Sequence, residues 1–330
     1  MILSIVICTI NDQEETAATI KSIRDTAGNE PEIVLVDDCS GTSLAGDWRF
    51  QNVPNLKLVS NRWRCGCGPS RHIGALNASG DWLQITDSHM RFAPGWYEAF
   101  ISRVYPPISF GMPENYLRTI YCATCLGLDR DHLDPLKPLA EYNGATYNFH
   151  GPDRNAPGKI QTLECVWIDR QHTPSDNDEI PAIMGAGYFI HKDWFLKLGA
   201  TRFLKTWGCD ELFLSMKSWL AGGSVRIMRS VRIGHRFPVK GEHKWFSLPP
   251  GHVLFNKVMG AHSLFPADVA QRLEAKLLMP MSKADIPDVE AAKRLIRDDW
   301  GVIASEMALN KAMFSRDAKW LCDRFGLVLP

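Results

Sequence analysis

The chain opens with a strand–helix–strand unit, and no other stretch limits its fold so strongly. Ile2 to Ile10 is a fully apolar run, and Glu32 to Asp38 is a second. Between them, Gln13 to Asp25 sets Ala17, Ala18, Ile20 and Ile23 on one side at helical spacing. Gly28-Asn29 breaks the helix, and Cys39-Ser40-Gly41 closes the second strand. Such an opening predicts a parallel sheet with a right-handed crossover. No G-x-G-x-x-G follows the first strand, which disfavours a dinucleotide-binding domain. The strand ends carry Thr9, Asn11, Asp37 and Asp38 instead, polar groups able to meet a base and ribose hydroxyls or simply to form turns.

Leu56 to Val59 reads as a third strand, and Gly68 to Gly80 as a small-residue helix with Arg71 near its start. Arg71 can pair a carboxylate, touch a phosphate, or sit as a surface charge. Trp82 to Thr86 then reads as a buried strand running into Asp87-Ser88-His89. Ligands of open α/β sheets bind at the carboxyl ends of strands. A carboxylate and an imidazole placed there suit a divalent cation such as Mn²⁺, and a turn-capping Asp beside an exposed His is the plain alternative.

Past His89 the pattern loosens. Pro94 to Tyr105 reads as a helix, and residues 106–180 as short strands (Arg118 to Thr124, Thr162 to Ile168) among loops such as 150–158. From Ile183 to Ile190 the glycines, Gly187 among them, suggest close backbone approach to a ligand. Trp207-Gly208-Cys209-Asp210-Glu211 sets two acids at the start of a helix running to Trp219, where the helix dipole favours them in any case. Residues 224–228 and 231–237 read as strand pieces. Arg226, Arg229, Arg232, Arg236, Lys240 and Lys244 form a basic stretch facing one acid, Glu242, which fits a pyrophosphate, a nucleic-acid backbone or a solvated strand face. Residues 241–251, with Trp245 and Phe246, read as a lid or a packing loop. Helical spacing resumes from Pro266, giving a helical tail without evident chemistry.

Composition narrows the class. The 330 residues are 45% hydrophobic and 22% charged with zero formal net charge, so nothing global draws the chain to nucleic acid or an anionic surface. Met1 to Cys8 lacks the basic start of a signal peptide, and no apolar run reaches the ~18 residues of a membrane span. The expectation is a cytoplasmic protein with no membrane partner. Nine scattered cysteines suggest free thiols; Cys65, Cys67, Cys122 and Cys125 could supply a zinc site, although the spacing of the first pair is short for one.

Four ordered blocks resemble the GT-A glycosyltransferases of family 2 type, above all the polypeptide N-acetylgalactosaminyltransferase catalytic domain. They are Val36 to Ser40; Arg71 through Gly80-Asp81 to Asp87-Ser88-His89; Gly185 to Ile190 with Trp207 to Glu211; and Ile233 to Phe237. The resemblance implies a Rossmann-like α/β fold with a mixed, mostly parallel sheet flanked by helices. It assigns 1–260 to the catalytic domain and leaves 261–330 as a helical C-terminal extension. It implies that Asp87, His89 and His235 hold Mn²⁺ (or Mg²⁺) against the diphosphate of a UDP-sugar. Thr9, Asn11, Asp38 and Arg71 would lie along the nucleotide, Gly187 and Trp207 on the sugar and acceptor side, and Trp245 in the lid, with Arg236 or Lys240 helping the leaving group. Asp210-Glu211 stands where that family carries Glu-Asn and where inverting family 2 enzymes carry Glu-Asp, so a general base is allowed and the stereochemistry stays open.

The function expected is metal-dependent transfer of a hexosyl or N-acetylhexosaminyl group from a UDP-sugar to a hydroxyl of a macromolecular acceptor. A peptide Ser or Thr follows from the resemblance; a hydroxymethylated base in DNA, as in phage DNA modification, would suit the basic stretch. A nucleotidyltransferase or a non-catalytic nucleotide-sugar-binding module are the alternatives. The first would want a glycine- and lysine-rich phosphate loop after the opening strand, and Thr9 to Glu15 is not one.

Overall fold

The computed structural model describes residues 2–105, 116–152, 160–169, 172, 174–239, 242 and 247–330. The opening unit forms as expected: β1 (Leu3–Thr9), α1 (Gln13–Ala27) and β2 (Glu32–Asp37). β1 pairs in parallel with β2 and with β4 (Trp82–Thr86), and β3 (Leu56–Ser60) extends the parallel run beyond β2. α2 (Cys67–Asn77) lies on β1 and β2. Gly74 allows that close approach, because a Cβ there would run into Val6 and lie 3.1 Å from Val36 Cγ2.

Beyond β4 the sheet turns mixed. β9 (Gly187–His191) is antiparallel to both β4 and β6 (Thr119–Leu128), while β10 (Ser224–Arg236) is parallel to β6 and carries the short β5 (Met90–Phe92) on its other edge. The order is β3-β2-β1-β4-β9-β6-β10-β5, with β7 (Ala140–Pro152) and β8 (Ile160–Asp169) hung from β6. The side chains of β1, β2 and β4 are almost all buried, as expected of strands covered on both faces. α3 (Trp96–Val104) packs on β10, and α4 (Lys192–Leu198) and α5 (Asp210–Leu220) on the central strands. α6 (His252–Leu264), α7 (Ala267–Leu277), α8 (Ile286–Asp298), α9 (Trp300–Met313) and α10 (Ala318–Phe325) complete the chain. No helix among the described residues is long and apolar enough to cross a membrane.

Three elements depart from the sequence reading. β7 replaces an expected loop up to Pro152; its alternation of buried Ala145, Tyr147 and Phe149 is broken upstream by a register shift at Gly144, where φ is +84°. β10 is one strand and not two, with an irregularity between Met228 and Arg232 hiding its continuity. α6 has no counterpart in the sequence reading. Phe255, Val258, Met259 and Ala261 are buried on several of its faces under α5, α7, α8 and α9, so it lacks the one-sided apolar stripe that marks a surface helix. It runs unbroken through residue 260.

The cysteines are all free, and Cys65, Cys67, Cys122 and Cys125 form no metal-binding group among the described residues. Cys122 and Cys125 are buried in β6, where burial pushes the Cys122 thiol up to about 12 and makes it a poor metal ligand.

Candidate active site

The carboxyl ends of β1, β2, β4 and β10 open on the same side of the sheet. Asp87 follows β4 directly, and His89 precedes β5. Pairing of β10 with β5 sets His235 beside Met90, closing a separation of 146 residues between the two histidines. His89 Nε2 lies 3.1 Å from His235 Nε2, and His235 Nε2 lies 3.4 Å from Asp87 Oδ2. One ligand atom from each of the three residues falls within 4.8 Å of the others.

The electrostatics fit a cation. Burial opposes the Asp87 charge, but the hydrogen bond from His235, the Arg71 guanidinium and His89 outweigh it, holding the carboxyl well below the usual carboxylate range. Burial, then the neighbouring His235, lowers His89 to about 4, so its imidazole is neutral at pH 7 and has a lone pair to give. An ionised carboxylate facing two imidazole nitrogens across hydrogen-bond distances is a donor set for a divalent ion such as Mn²⁺ or Zn²⁺.

The turn carrying these ligands is fixed from behind. Thr19, buried in α1, donates to the Ser88 carbonyl at 2.7 Å and accepts from Met90 N–H at 2.8 Å. Ser88 Oγ donates toward Asp12 at 3.4 Å. Burial and nearby Glu15 push the Asp12 carboxyl up to about 6.

Arg71 is the hub beside the cluster. Its Nη2 donates to Asp87 at 2.8 Å and to the Gly185 carbonyl at 3.2 Å, and its Nη1 donates to Asp210. Burial disfavours its charge, but Asp210, Cys67 and Asp87 over-compensate, so the guanidinium stays ionised. Adjacent Glu211 has the opposite fate. It accepts from Gly185 N–H and, at 3.3 Å, from Trp167 Nε1, while burial and then Asp210 push its carboxyl up to about 8.

That shift has a sign that can be tested. A carboxyl raised from 4.5 to about 8 keeps its proton in the folded chain over a range where the unfolded chain releases it. This contribution is full below pH 4.5 and is lost as pH rises through 8. Glu211→Gln, neutral throughout, is therefore expected to melt at nearly the wild-type temperature at pH 5. By pH 8.5 it should gain on the order of 2–4 kcal/mol over wild type. Thermal melts across that range check it; a constant gap between the two proteins contradicts a buried proton on Glu211.

The other candidate residues fall around this centre. Thr9 Oγ1 is 2.8 Å from Thr16 Oγ1 inside the β1–α1 turn. Asn11, at φ +54°, bonds through its amide oxygen to Gly41 N–H at 2.8 Å. Both Asp38 oxygens are taken by the chain: Oδ1 accepts from Cys65 N–H at 2.8 Å and Asn61 Nδ2 at 2.9 Å, and Oδ2 accepts from Gly66 N–H at 2.7 Å. Gly187 opens β9 opposite Thr86. Trp207 is 51% exposed at the mouth of the 205–209 loop. Arg236 pairs with Glu15 and Glu242. Trp245, and with it Phe246, Lys240 and Lys244, lies outside the described residues.

The basic stretch is largely neutralised. Arg226 pairs with Glu179 at 2.8 Å and Arg232 with Glu141 at 3.3 Å; of its four described arginines, Arg229 alone has no ion pair among the described residues. Among the described residues, three of the stretch's four arginines are thus paired, which leaves few free cations there for a nucleic-acid backbone.

Sequence reasoning missed Asn256 and Trp167. Asn256 is fully buried in α6; its Oδ1 accepts from Lys205 N–H at 2.7 Å, and its Nδ2 lies 2.9–3.2 Å from the carbonyls of Lys205, Trp207 and Gly208. It braces the loop leading to Asp210, in which Thr206, Gly208 and Cys209 all have positive φ. An amide beside Lys257 in a largely apolar run was its one signal in the sequence.

Residues 4–107 match the family Glycosyl transferase family 2. The chain is 29% identical over 229 residues to a putative polypeptide N-acetylgalactosaminyltransferase 13 of Drosophila melanogaster, covering 68% of this chain and 36% of that protein. It is 28% identical over 244 residues to polypeptide N-acetylgalactosaminyltransferase 14 of Homo sapiens, covering 72% of this chain and 41% of the relative. The chain thus spans about two fifths of the length of these curated relatives. The crystal structure of GalNAc-T7 with UDP, GalNAc and Mn²⁺ superposes with a TM-score of 0.69 at 19% identity, over 98% of this chain and 57% of that one.

Proposed function

We propose, from the premise that this chain carries a glycosyl transferase family 2 domain in a GT-A fold, that it transfers a sugar from a UDP-sugar to a hydroxyl of a macromolecular acceptor. The observation that carries the reading is the convergence of Asp87, His89 and His235 at the carboxyl edge of the sheet. These three residues would hold Mn²⁺, which supplies Lewis-acid charge neutralisation at the diphosphate when bound. The named relatives support a peptide Ser or Thr as acceptor and an N-acetylhexosamine as the sugar.

The chain's own residues define the remaining roles. Thr9, Asn11 and the β1–α1 turn border the nucleotide side. Asp38 shapes that side through residues 65–70, since its oxygens are already engaged. Arg71 holds Asp87 and Asp210 in one plane of charge, so Asp210 orients the sugar and is not a free base. Glu211, protonated at neutral pH, cannot accept the acceptor's proton there. With both acids so committed, the acceptor hydroxyl is activated by position more than by a carboxylate base. Gly187 and Trp207 belong to the sugar and acceptor side, and Arg236 to the leaving-group side.

The test is release of UDP and mass gain on acceptor. With UDP-N-acetylgalactosamine and Mn²⁺, a Ser/Thr-rich peptide is expected to gain one N-acetylhexosamine, with chelator abolishing the gain. Hydroxymethylated duplex DNA is the contrasting acceptor. Modification of DNA and not of peptide would overturn the acceptor assignment, and no metal-dependent turnover of any UDP-sugar would overturn the transfer reading.

A further inference from the structure

A second cleft opens at the opposite edge of the sheet, with a volume of about 460 Å³ between α4, the end of α5 and the end of α9. Arg118, Lys197 and Arg202 line it, and Leu198, Leu309 and Met313 give it an apolar wall. Arg118 precedes β6, whose Ile120 is level with Ile190 of β9 and so with Leu83 near the start of β4. Asp87 lies beyond the other end of β4, about 20 Å away along the strands at ~3.3 Å per residue. The cleft is therefore separate from the metal-type cluster.

Among the described residues its charge is uncompensated. No carboxylate lines the cleft, and none of the three cations has a carboxylate partner among the described residues. Arg118 and Lys197 sit over the Trp194 ring at 5.7 and 5.8 Å, and Arg202 over Phe203 at 4.4 Å. Arg202 Nε is buried with no hydrogen-bond partner. Elsewhere in the fold partly buried arginines have partners: Arg49 is matched by Asp47, Arg91 by Glu15 and Arg226 by Glu179, while Arg24 and Arg316 are held by backbone carbonyls. Three like charges held together on aromatic rings repel one another, and a dianion between them removes that cost and gains charge-assisted hydrogen bonds. The apolar wall adds a preference for an aliphatic body beside the anionic head.

We propose that this cleft binds an alkyl phosphate, its phosphate among Arg118, Lys197 and Arg202 and its chain against Leu198, Leu309 and Met313. The source is either a soluble phosphomonoester or the headgroup region of an anionic lipid, and one experiment separates them. Hexyl phosphate and inorganic phosphate are titrated calorimetrically into the full chain, and co-sedimentation with phosphatidylglycerol and phosphatidylcholine vesicles is run alongside. Hexyl phosphate is expected to bind with a sub-millimolar Kd, at least about tenfold tighter than inorganic phosphate. The double variant Arg118→Ala/Lys197→Ala and the charge reversal Lys197→Glu, both at exposed side chains, should weaken it about tenfold or more with melting temperature unchanged. Variant-sensitive sedimentation with phosphatidylglycerol alone assigns the lipid source; binding of hexyl phosphate without sedimentation assigns the soluble one. No binding of hexyl phosphate, equal binding of inorganic phosphate, or binding that both variants leave intact overturns the proposal. None of these readouts depends on sugar transfer.

Discussion

Asp87→Asn is expected to lower turnover of a UDP-sugar by about 10³-fold while the protein stays folded, because losing a stabilisation of several kcal/mol at the leaving group translates to that factor. The substitution keeps the shape of the side chain and removes its charge. Two things fail together. The donor set of Asp87, His89 and His235 is left with two imidazoles and no anionic oxygen. Arg71 loses one of the two carboxylates that hold its buried guanidinium in place, so Asp210 is less firmly oriented as well. Arg71→Lys separates these effects: it keeps a positive charge but cannot bridge two carboxylates as a planar fork. A fall of about 10–100-fold is expected for it, with metal affinity largely retained. Steady-state rates with and without added Mn²⁺ check both variants. An Asp87→Asn protein with near wild-type, Mn²⁺-stimulated rates would contradict a metal-holding role for this carboxylate.

The second large effect is on stability. Lys217 of α5 and Glu306 of α9 form an ion pair at 1% and 2% side-chain exposure. Burial drives the Lys217 ammonium pKa down, and Glu306 pulls it back up in part. Glu306→Ala strands that ammonium among apolar groups and is expected to cost about 3–5 kcal/mol, which for a chain of this size is a fall in Tm of about 4–7 °C. Lys217→Met/Glu306→Leu removes both charges and fills similar volume, so it should melt near wild type or above. The pair also concerns the site, since α5 begins with Asp210 and Glu211. The single variant should therefore lose activity below its melting temperature, and the double variant should recover it. Urea or thermal unfolding decides the matter: equal stability of Glu306→Ala and wild type would show that the pair does not anchor α5.

Much of this molecule is legible in its sequence. The β1–α1–β2 opening can be read because strands buried on both faces leave uninterrupted apolar runs, and a helix between two such strands admits few topologies. The Asp87 and His89 pair can be read because both ligands sit on one strand end. Their meeting with His235 is implied only by resemblance, because the register of β10 on β5 depends on two short segments far apart in the chain. β7 escapes because a bulge at Gly144 shifts its alternation, and α6 because burial on several faces erases periodicity. The pairing of the basic stretch is hidden for a related reason: sequence shows Arg226, Arg232 and Arg236 but not Glu179, Glu141 and Glu15, which arrive from other elements to pair with them. The partners of Asp38 are hidden for the same cause, its oxygens being filled by donors from residues 61–70.

Direct titration of Mn²⁺ tests the proposed metal centre itself, with free ion followed by its electron paramagnetic resonance signal and no substrate present. One Mn²⁺ is expected to bind per chain, and His235→Ala, His89→Ala and Asp87→Asn should each weaken it by about 10–100-fold. Identical stoichiometry and affinity in all four proteins would contradict a cation held between β4 and β10.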